Sequence, residues 1–372
     1  MPVSDIEIPE ALLPGDGRFG SGPAKVRDEA VAALAARSRT FLGTSHRRPA
    51  VKDLVRNVQE GLVELYGLPA GYEVLLGNGG ATAFWDAAAL GLIERKSQHL
   101  SFGVFSAKFA TVVAGTPQLE PPEVIVSEYG THPLPVASAA VDTYALTHNE
   151  TTTGVCMEIR RPDAAGLVIV DATSAAGALR VDPEEFDAYY FSPQKAFGSD
   201  GGLWVAACSP AAIDRIERIG ATDRHIPSFL SLQVALENSR QQQTYNTPAL
   251  ATLFLLEQQI EWINAMGRLE WAASRSDRNA EILYAWADQS AFAFPYVADP
   301  AERSPVTATI DFAPEVSAPA VASVLRAHGI LDTESYRKLD RNQLRVGLWP
   351  AVEESDVDAL TRSIDYVVER LG

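Results

Sequence analysis

At 372 residues, the chain is long enough to form two domains with separate cores, and its 47% hydrophobic and 21% charged residues are typical of a globular protein. Its formal net charge of −17 argues against nucleic acid or an anionic membrane as a partner, because both attract basic surfaces. A site for an anionic ligand would therefore need a local cluster of positive charge.

The sequence shows no targeting signal and no metal or disulfide motif. Its first 17 residues are acidic and lack the basic and apolar regions of a secretory signal, and no apolar run approaches the length of a membrane span. Cys156 and Cys208 are too few and too widely separated for a disulfide framework or a metal site. We therefore expect a cytoplasmic protein without a bound metal.

Two polar turns precede the first predicted strand. The glycine-rich turn Phe19–Pro23 leads into a helical pattern, which indicates a loop at the start of a domain. Further along, His46, Arg47 and Arg48 precede Pro49, where the chain is extended or turning. Short basic clusters of this kind are most often solvated loops, so the pattern alone assigns them no ligand.

A strand, a glycine-rich turn and a helix follow one another. Glu73–Leu76 is the predicted strand and Ala83–Ile93 the helical run, and the turn between them contains Ala81 and Thr82. A turn that leads into a helix N-terminus presents free backbone N–H groups and the positive end of the helix dipole. It can hold a phosphate, although such turns are also common without a ligand.

Two further segments place aromatic or polar residues next to predicted strands. Phe105 follows a short strand, and it can be interpreted equally as a core residue or as a ring at a binding site. The predicted strand Tyr144–Thr147 ends in the polar turn His148–Gly154. Within that turn, the sequence does not decide between Thr151 and Thr152 as the residue that faces a ligand.

An acid and a lysine follow two predicted strands in the middle of the chain. Leu167–Val170 is rich in β-branched residues, which predicts a strand buried on both faces of a parallel sheet. It ends at Asp171, at the edge where open α/β sheets bind ligands. Tyr189–Phe191 is the second predicted strand, and Lys195 lies on the turn between it and the next strand.

This pair of residues permits a specific chemistry. A lysine that is partly desolvated and close to cationic groups can lose its proton and form a Schiff base with an aldehyde. An acid that stays ionised nearby is the usual partner of a pyridinium nitrogen. For either residue alone, a solvated turn lysine or a helix-capping aspartate is the simpler interpretation.

The last third of the chain predicts a second, smaller domain. Gln241–Pro248 is too polar to be core and ends in a turn, and a long helical stretch is expected from Ala249 to about Trp286. The small α/β domain is then predicted from alternating strands and helices at Val306–Ile310, Ala318–His328, Leu344–Leu348 and Ser355–Leu371.

The densest basic segment lies within this second domain and contains Arg337, Lys338, Arg341 and Arg345. Arg341 is expected in a solvated loop. Arg345 lies in an apolar strand pattern, and a buried guanidinium needs a carboxylate partner.

Taken together, the motifs resemble the fold-type I aminotransferases of class V, and most closely the phosphoserine aminotransferase family. The resemblance is carried by DATSAAG, which starts at Asp171, and by QKAFGSDGG, in which Lys195 stands 24 residues after that aspartate. Gln194 before the lysine separates the segment from the cysteine desulfurases, which typically have histidine there. The similarity extends from FGSGPAK near the start to NQLR near the end.

The resemblance implies an α/β protein with the fold-type I architecture of transferases that depend on pyridoxal phosphate. We expect a large domain with a mainly parallel seven-stranded sheet at residues 1–260 and a smaller C-terminal α/β domain at residues 261–372. The first 18 or so residues are expected to pack with the small domain. The family also implies a homodimer in which one subunit completes the active site of the other.

A pyridoxal 5′-phosphate site is implied as well. Lys195 would bind the cofactor and transfer protons, Asp171 would hold its ring nitrogen, and Phe105 would stack on its ring where the family usually has tryptophan. The other implied cofactor-binding residues are Ala81 and Thr82 at the phosphate, Thr151 at the phenolic oxygen, Gln194 beside the lysine, and Asn246 and Thr247, which reach the cofactor phosphate of the partner subunit.

The implied substrates are small phosphorylated and carboxylated molecules. In serine biosynthesis the family transfers an amino group from glutamate to 3-phosphohydroxypyruvate, giving O-phosphoserine and 2-oxoglutarate. Arg345 would hold the substrate carboxylate, and His46, Arg47 and either Arg337 or Lys338 the phosphate. A longer phosphorylated 2-oxo acid of pyridoxine biosynthesis is a second candidate substrate.

Two alternatives fit fewer of these features. Another class V aminotransferase, acting on alanine or serine with glyoxylate, would share Lys195 and Asp171 but would not need a phosphate site. A non-catalytic module that binds pyridoxal phosphate would keep the fold without turnover. The basic cluster at His46 and Arg47 favours a phosphorylated substrate.

Overall fold

The computed structural model describes residues 5–371, which form helices packed around two main β-sheets. The strands, in chain order, are β1 (Glu73–Gly79), β2 (Ser97–Ser101), β3 (Glu123–Val126), β4 (Thr143–Thr147), β5 (Asn149–Glu150), β6 (Val155–Cys156), β7 (Leu167–Asp171), β8 (Ala188–Phe191), β9 (Gly202–Cys208), β10 (Ala293–Pro295), β11 (Thr307–Phe312) and β12 (Gln343–Gly347).

The α-helices are α1 (Asp28–Phe41), α2 (Pro49–Tyr66), α3 (Ala81–Gly91), α4 (Val104–Ala114), α5 (Pro210–Gly220), α6 (Leu232–Ser239), α7 (Leu250–Met266), α8 (Arg268–Gln289), α9 (Ala318–Ala327) and α10 (Glu354–Leu371). Within residues 5–371, none of the helices is both long enough and apolar enough to cross a membrane.

The larger sheet has seven strands in the order β1-β9-β8-β7-β4-β2-β3. All neighbours from β8 to β3 pair in parallel, and β9 runs antiparallel to both β8 and β1. Since a single strand is reversed, the predicted mainly parallel seven-stranded sheet is confirmed. The carboxyl ends of β1, β4, β7 and β8 therefore meet at one edge of the sheet.

The central strand β7 shows why this sheet is buried on both faces. All five of its residues are buried. Val168 and Val170 belong to the core on one face, and Leu167 and Ile169 to the core on the other. Because successive side chains of a strand alternate between faces, an uninterrupted apolar run is what a sheet covered by helices on both sides requires.

The smaller sheet lies in the C-terminal part of the chain and has the antiparallel order β10-β11-β12. It packs against α8 and α9, and α10 packs against these two helices. The N-terminal segment joins it: Gly17 O accepts a hydrogen bond from Leu331 N at 2.7 Å, and Phe19 O accepts one from Gly347 N at 2.7 Å. The expected domain limits stay a prediction, and residue 260 lies inside α7.

The long helical stretch expected from Ala249 to about Trp286 is present, and the structure divides it into two parts. Two helices occupy this stretch, because α7 ends at Met266 and α8 begins at Arg268. Gly267 has a φ of +128° and Arg268 a φ of +62°, so the backbone leaves the right-handed helical region at this point. A glycine at the end of a helical pattern is the usual signal for such a stop.

Candidate active site

A cavity of about 320 Å³ lies at the carboxyl edge of the larger sheet, a size that suits a small molecule. Its walls come from the turn between β1 and α3, the ends of β4 and β7, and the loop between β8 and β9. The predicted site residues that line it are Ala81, Thr82, Phe105, Thr151, Asp171, Gln194 and Lys195.

Lys195 lies between β8 and β9, on the predicted turn between two strands, and two hydrogen bonds hold its amino group. Its Nζ donates to the backbone oxygen of Ser21 at 2.9 Å and to Thr151 Oγ1 at 3.0 Å. Gly22 leaves room for the lysine, since a Cβ at Gly22 would lie 2.7 Å from Lys195 Cε. The turn Phe19–Pro23 is therefore part of the site and more than a loop at the start of a domain.

The surroundings of Lys195 disfavour its positive charge. Its pKa is lowered to about 7, first by burial and then by the positive charge of Arg345, against the opposing effect of Asp171 and Glu150. A charged ammonium loses its hydration in such a place, which favours the neutral amine. At neutral pH a substantial fraction of Lys195 can therefore act as a nucleophile or a base.

Asp171 ends β7 and is 8% exposed. Its Oδ1 accepts a hydrogen bond from Thr173 N at 2.9 Å, and its Oδ2 accepts one from Trp85 Nε1 at 3.1 Å. Both donors stabilise the negative charge of the carboxylate. Trp85 was not among the predicted site residues. Its spacing of four residues from Ala81, which places both on one face of α3, was the available signal.

The N-terminus of α3 faces the cavity through Gly79, Gly80, Ala81 and Thr82. No side chain in the described part of the chain caps this helix. Its first backbone N–H groups and the positive end of its dipole are therefore available to an anion, as predicted for a phosphate.

Glu150 fixes the position of Phe105. It is fully buried, and its Oε2 accepts hydrogen bonds from Phe105 N at 3.1 Å and Ser106 N at 2.9 Å, which caps α4. Burial raises the pKa of Glu150, although these hydrogen bonds favour its charged form. The ring of Phe105 is held with its centroid 6.0 Å from Lys195 Nζ.

The structure distinguishes Thr151 from Thr152. The hydroxyl of Thr151 faces the cavity and accepts from Lys195, whereas the hydroxyl of Thr152 donates to Glu150 Oε1 at 2.9 Å. Thr151 is thus the threonine that can meet a ligand.

Arg345 lies on β12 beside the cavity, and its Nη1 donates to the backbone oxygen of Thr151 at 3.2 Å. Its Nε is buried without a hydrogen-bond partner among residues 5–371, and no carboxylate of those residues forms an ion pair with it. The carboxylate partner that a buried guanidinium needs is therefore not supplied by the described residues, and binding of the substrate carboxylate by Arg345 stays a prediction. Burial lowers its pKa, and its N–H groups can meet a carboxylate from outside.

The remaining predicted residues do not line the cavity. Arg47, Arg337, Asn246 and Thr247 are exposed. His46 is partly buried, and its Nδ1 lies 3.1 Å from Thr247 Oγ1. Burial lowers the pKa of His46, and the charge of Arg47 lowers it further. The roles of these residues in substrate or cofactor binding stay predictions.

Comparison with known proteins places the chain in a family. Residues 136–360 match the family described as Aminotransferase class-V. The chain is 55% identical to the phosphoserine aminotransferase of Nocardioides sp. over 370 residues, which are 98% of this chain and 99% of that protein.

Two solved structures share the fold. A phosphoserine aminotransferase from Cytophaga hutchinsonii is similar with a TM-score of 0.88 at 24% identity, over 96% of this chain and 100% of that one. A phosphoserine aminotransferase from Bacillus circulans subsp. alkalophilus is similar with a TM-score of 0.83 at 22% identity, over 96% of this chain and 99% of that one. The predicted fold class is confirmed.

We predict that Lys195 in the ligand-free chain reacts with an acylating reagent with a midpoint near pH 7, well below the ordinary lysine value of 10.5. Replacing Arg345 with methionine removes a positive charge that disfavours the ammonium, so the midpoint should rise. Mass spectrometry of the Lys195 peptide, after acylation at a series of pH values, measures the midpoint in the parent chain and in Arg345→Met.

The matched control is Arg341→Met, since Arg341 pairs with Asp311 and does not line the cavity. This variant should keep the midpoint of the parent chain. An ordinary lysine midpoint in the parent, or equal shifts in the two variants, would contradict the account of Lys195.

Proposed function

Because the chain belongs to the class-V aminotransferase family and groups with its phosphoserine aminotransferases, we propose that it interconverts O-phosphoserine and 2-oxoglutarate with 3-phosphohydroxypyruvate and glutamate. As a member of that family it is an aminotransferase that depends on pyridoxal phosphate. The implied role is serine biosynthesis. The observation that carries the proposal is the buried Lys195 amine in one cavity with Asp171 and beside Arg345.

The described residues fit pyridoxal phosphate. The cavity of about 320 Å³ offers an amine of lowered pKa at Lys195, an acid at Asp171 and an aromatic face at Phe105. The uncapped N-terminus of α3 suits a phosphate group. Phe105 provides a smaller stacking surface than the tryptophan usual in the family, with less overlap on a pyridine ring.

When bound, the cofactor supplies an aldehyde for amine exchange and a ring that accepts electrons from the substrate. The chain supplies the group that transfers the proton and the negative charge that faces the ring nitrogen. The neutral Lys195 Nζ can take the proton from the substrate Cα, and Thr151 Oγ1 and Ser21 O hold that nitrogen in place. Asp171 offers a negative charge to a protonated ring nitrogen, and Trp85 and Thr173 hold it there.

Substrate selection rests on separate cationic groups. Arg345, whose buried Nε lacks a partner among the described residues, would bind the carboxylate common to all four reactants. His46 and Arg47 would bind the phosphate that only O-phosphoserine and 3-phosphohydroxypyruvate carry, with Arg337 or Lys338 as further cations. In a chain of net charge −17, such local cations must overcome the long-range repulsion of an anionic substrate.

We further propose that the enzyme works in the cytoplasm as a homodimer with composite sites. Thr247 contacts His46, and its backbone oxygen accepts a hydrogen bond from Asn78 Nδ2 at 3.0 Å. Two of the predicted phosphate residues, His46 and Thr247, therefore lie together at the end of β1. Phe229 is 48% and Tyr245 45% exposed, and both line a small pocket together with Asn78. Exposed aromatic side chains beside polar ones suit a contact with a second copy.

The direct test of the function is a transamination assay. Purified protein loaded with pyridoxal phosphate should form glutamate from O-phosphoserine and 2-oxoglutarate, at a far higher kcat/KM than with serine or alanine as donor. Chromatography of the amino acids in the quenched mixture measures this. Comparable rates with alanine and glyoxylate would instead indicate the other class V activity.

We predict that Arg47→Ala lowers kcat/KM for O-phosphoserine by about tenfold to a hundredfold, because it removes a charge-assisted hydrogen bond to the phosphate. Its kcat/KM for unphosphorylated serine should stay close to that of the parent enzyme. Arg48→Ala is the matched control, since it removes the same charge one residue away. Equal losses on both substrates, or in both variants, would refute the phosphate role of Arg47.

We predict that mixing Lys195→Ala with Thr247→Ala restores activity, because one of the two sites in a mixed dimer then has both an intact lysine and an intact threonine. Each variant alone should be inactive or weak. After subunit exchange at equal amounts, half of the dimers are mixed, so about a quarter of the parent activity should return. No recovery despite proven exchange, or a Thr247→Ala variant with parent activity, would place the whole site within one chain.

A further inference from the structure

Tyr336 lies between two residues of the site that come from different parts of the chain. Its ring centroid is 6.1 Å from that of Phe105, which faces Lys195. On the other side, Arg345 Cζ lies over the Tyr336 ring, 5.3 Å from its centroid. Tyr336 therefore contacts both the aromatic wall of the cavity and the cation beside it.

The backbone before Tyr336 is tied to the strand that carries Arg345. Arg345 N donates to Thr333 O at 2.9 Å, and Glu334 forms an antiparallel bridge with Leu344. Both contacts lie along the free edge of β12, opposite the edge that pairs with β11. The approach of the Tyr336 ring to Arg345 is thus fixed by main-chain bonds two and three residues away.

The contacts of Arg345 explain how its buried guanidinium keeps both its charge and free N–H groups for a ligand. A carboxylate partner would occupy its N–H groups and cancel its charge. An aromatic face attracts a guanidinium through the ring quadrupole and leaves the charge in place. Among the described residues, only Thr151 O takes a hydrogen bond from the guanidinium, and the buried Nε has no partner.

We propose that Tyr336 is a positioning residue: its ring holds the Arg345 guanidinium so that the Nε side meets the substrate carboxylate. The proposal rests on the proposed function, in which Arg345 binds that carboxylate. The ring, more than the hydroxyl, performs this task. Tyr336 thereby sets the affinity for every carboxylate substrate and leaves the proton transfer at Lys195 unchanged.

The test compares Tyr336→Leu, which removes the ring, with Tyr336→Phe, which keeps it, in the enzyme loaded with pyridoxal phosphate. Loss of the cation–π contact should raise KM for both O-phosphoserine and 2-oxoglutarate by about threefold to thirtyfold, with kcat within about twofold. Tyr336→Phe should restore KM to within about twofold of the parent value. A merely structural residue would not give this division between KM and kcat with rescue by phenylalanine.

A second measurement does not depend on turnover. The dissociation constant of glutarate, a dicarboxylate without a reactive amino or keto group, is determined by titration calorimetry on the same proteins. It should rise in Tyr336→Leu by the same factor as KM. Tyr296→Leu is the matched control, because Arg341 Cζ lies 4.4 Å from the Tyr296 ring and pairs with Asp311 outside the cavity. It should change neither quantity.

Three results would overturn the proposal: parent-like KM and glutarate affinity in Tyr336→Leu, equal defects in the leucine and phenylalanine variants, or equal defects in Tyr336→Leu and Tyr296→Leu. Failure of the proposed function would look different, since the parent enzyme itself would then not transaminate O-phosphoserine. In that case the glutarate titration still decides whether the Tyr336 ring supports carboxylate binding.

Discussion

The site depends on keeping the Lys195 amine where its positive charge is costly. Burial and the Arg345 guanidinium lower its pKa, Asp171 and Glu150 limit the effect, and the result is a pKa of about 7. The loop from the N-terminal segment closes over the lysine, with Gly22 against its side chain and Ser21 O on its nitrogen. A substantial fraction of the amine is therefore neutral at neutral pH, and the neutral form is what both covalent binding of an aldehyde and proton abstraction require.

Thr151 and its neighbour Glu150 connect the separate tasks of the site. The Thr151 hydroxyl accepts from Lys195 and its backbone oxygen accepts from Arg345, so one residue sets the positions of the base and the carboxylate-binding cation. Glu150 caps α4 and places Phe105 opposite the lysine. A short turn after β4 therefore links the larger sheet, α4 and β12. A displacement of this turn would move Lys195, Arg345 and Phe105 together.

Local sequence signals were sufficient for the parts of the site that depend on short stretches. An apolar run that ends in Asp171 and a lysine between two strands are visible because strand periodicity and turn residues act over a few positions. The contacts that complete the site join distant segments. Trp85 and Asp171 are 86 residues apart, His46 and Thr247 are 201 apart, and single-sequence patterns carry no information about such pairs. The hydrogen bond from Arg345 to the backbone oxygen of Thr151, 194 residues away, could not be predicted for the same reason.

The role of Lys195 is tested most directly by finding the residue that bears the cofactor. The enzyme loaded with pyridoxal phosphate is reduced with sodium borohydride and digested, and the peptide that carries the pyridoxyl group is identified by mass spectrometry. We expect the label on Lys195 and none in Lys195→Ala. A label on another lysine of the parent enzyme, such as Lys25 or Lys108, would contradict the central claim that the buried amine beside Arg345 and Asp171 forms the catalytic centre.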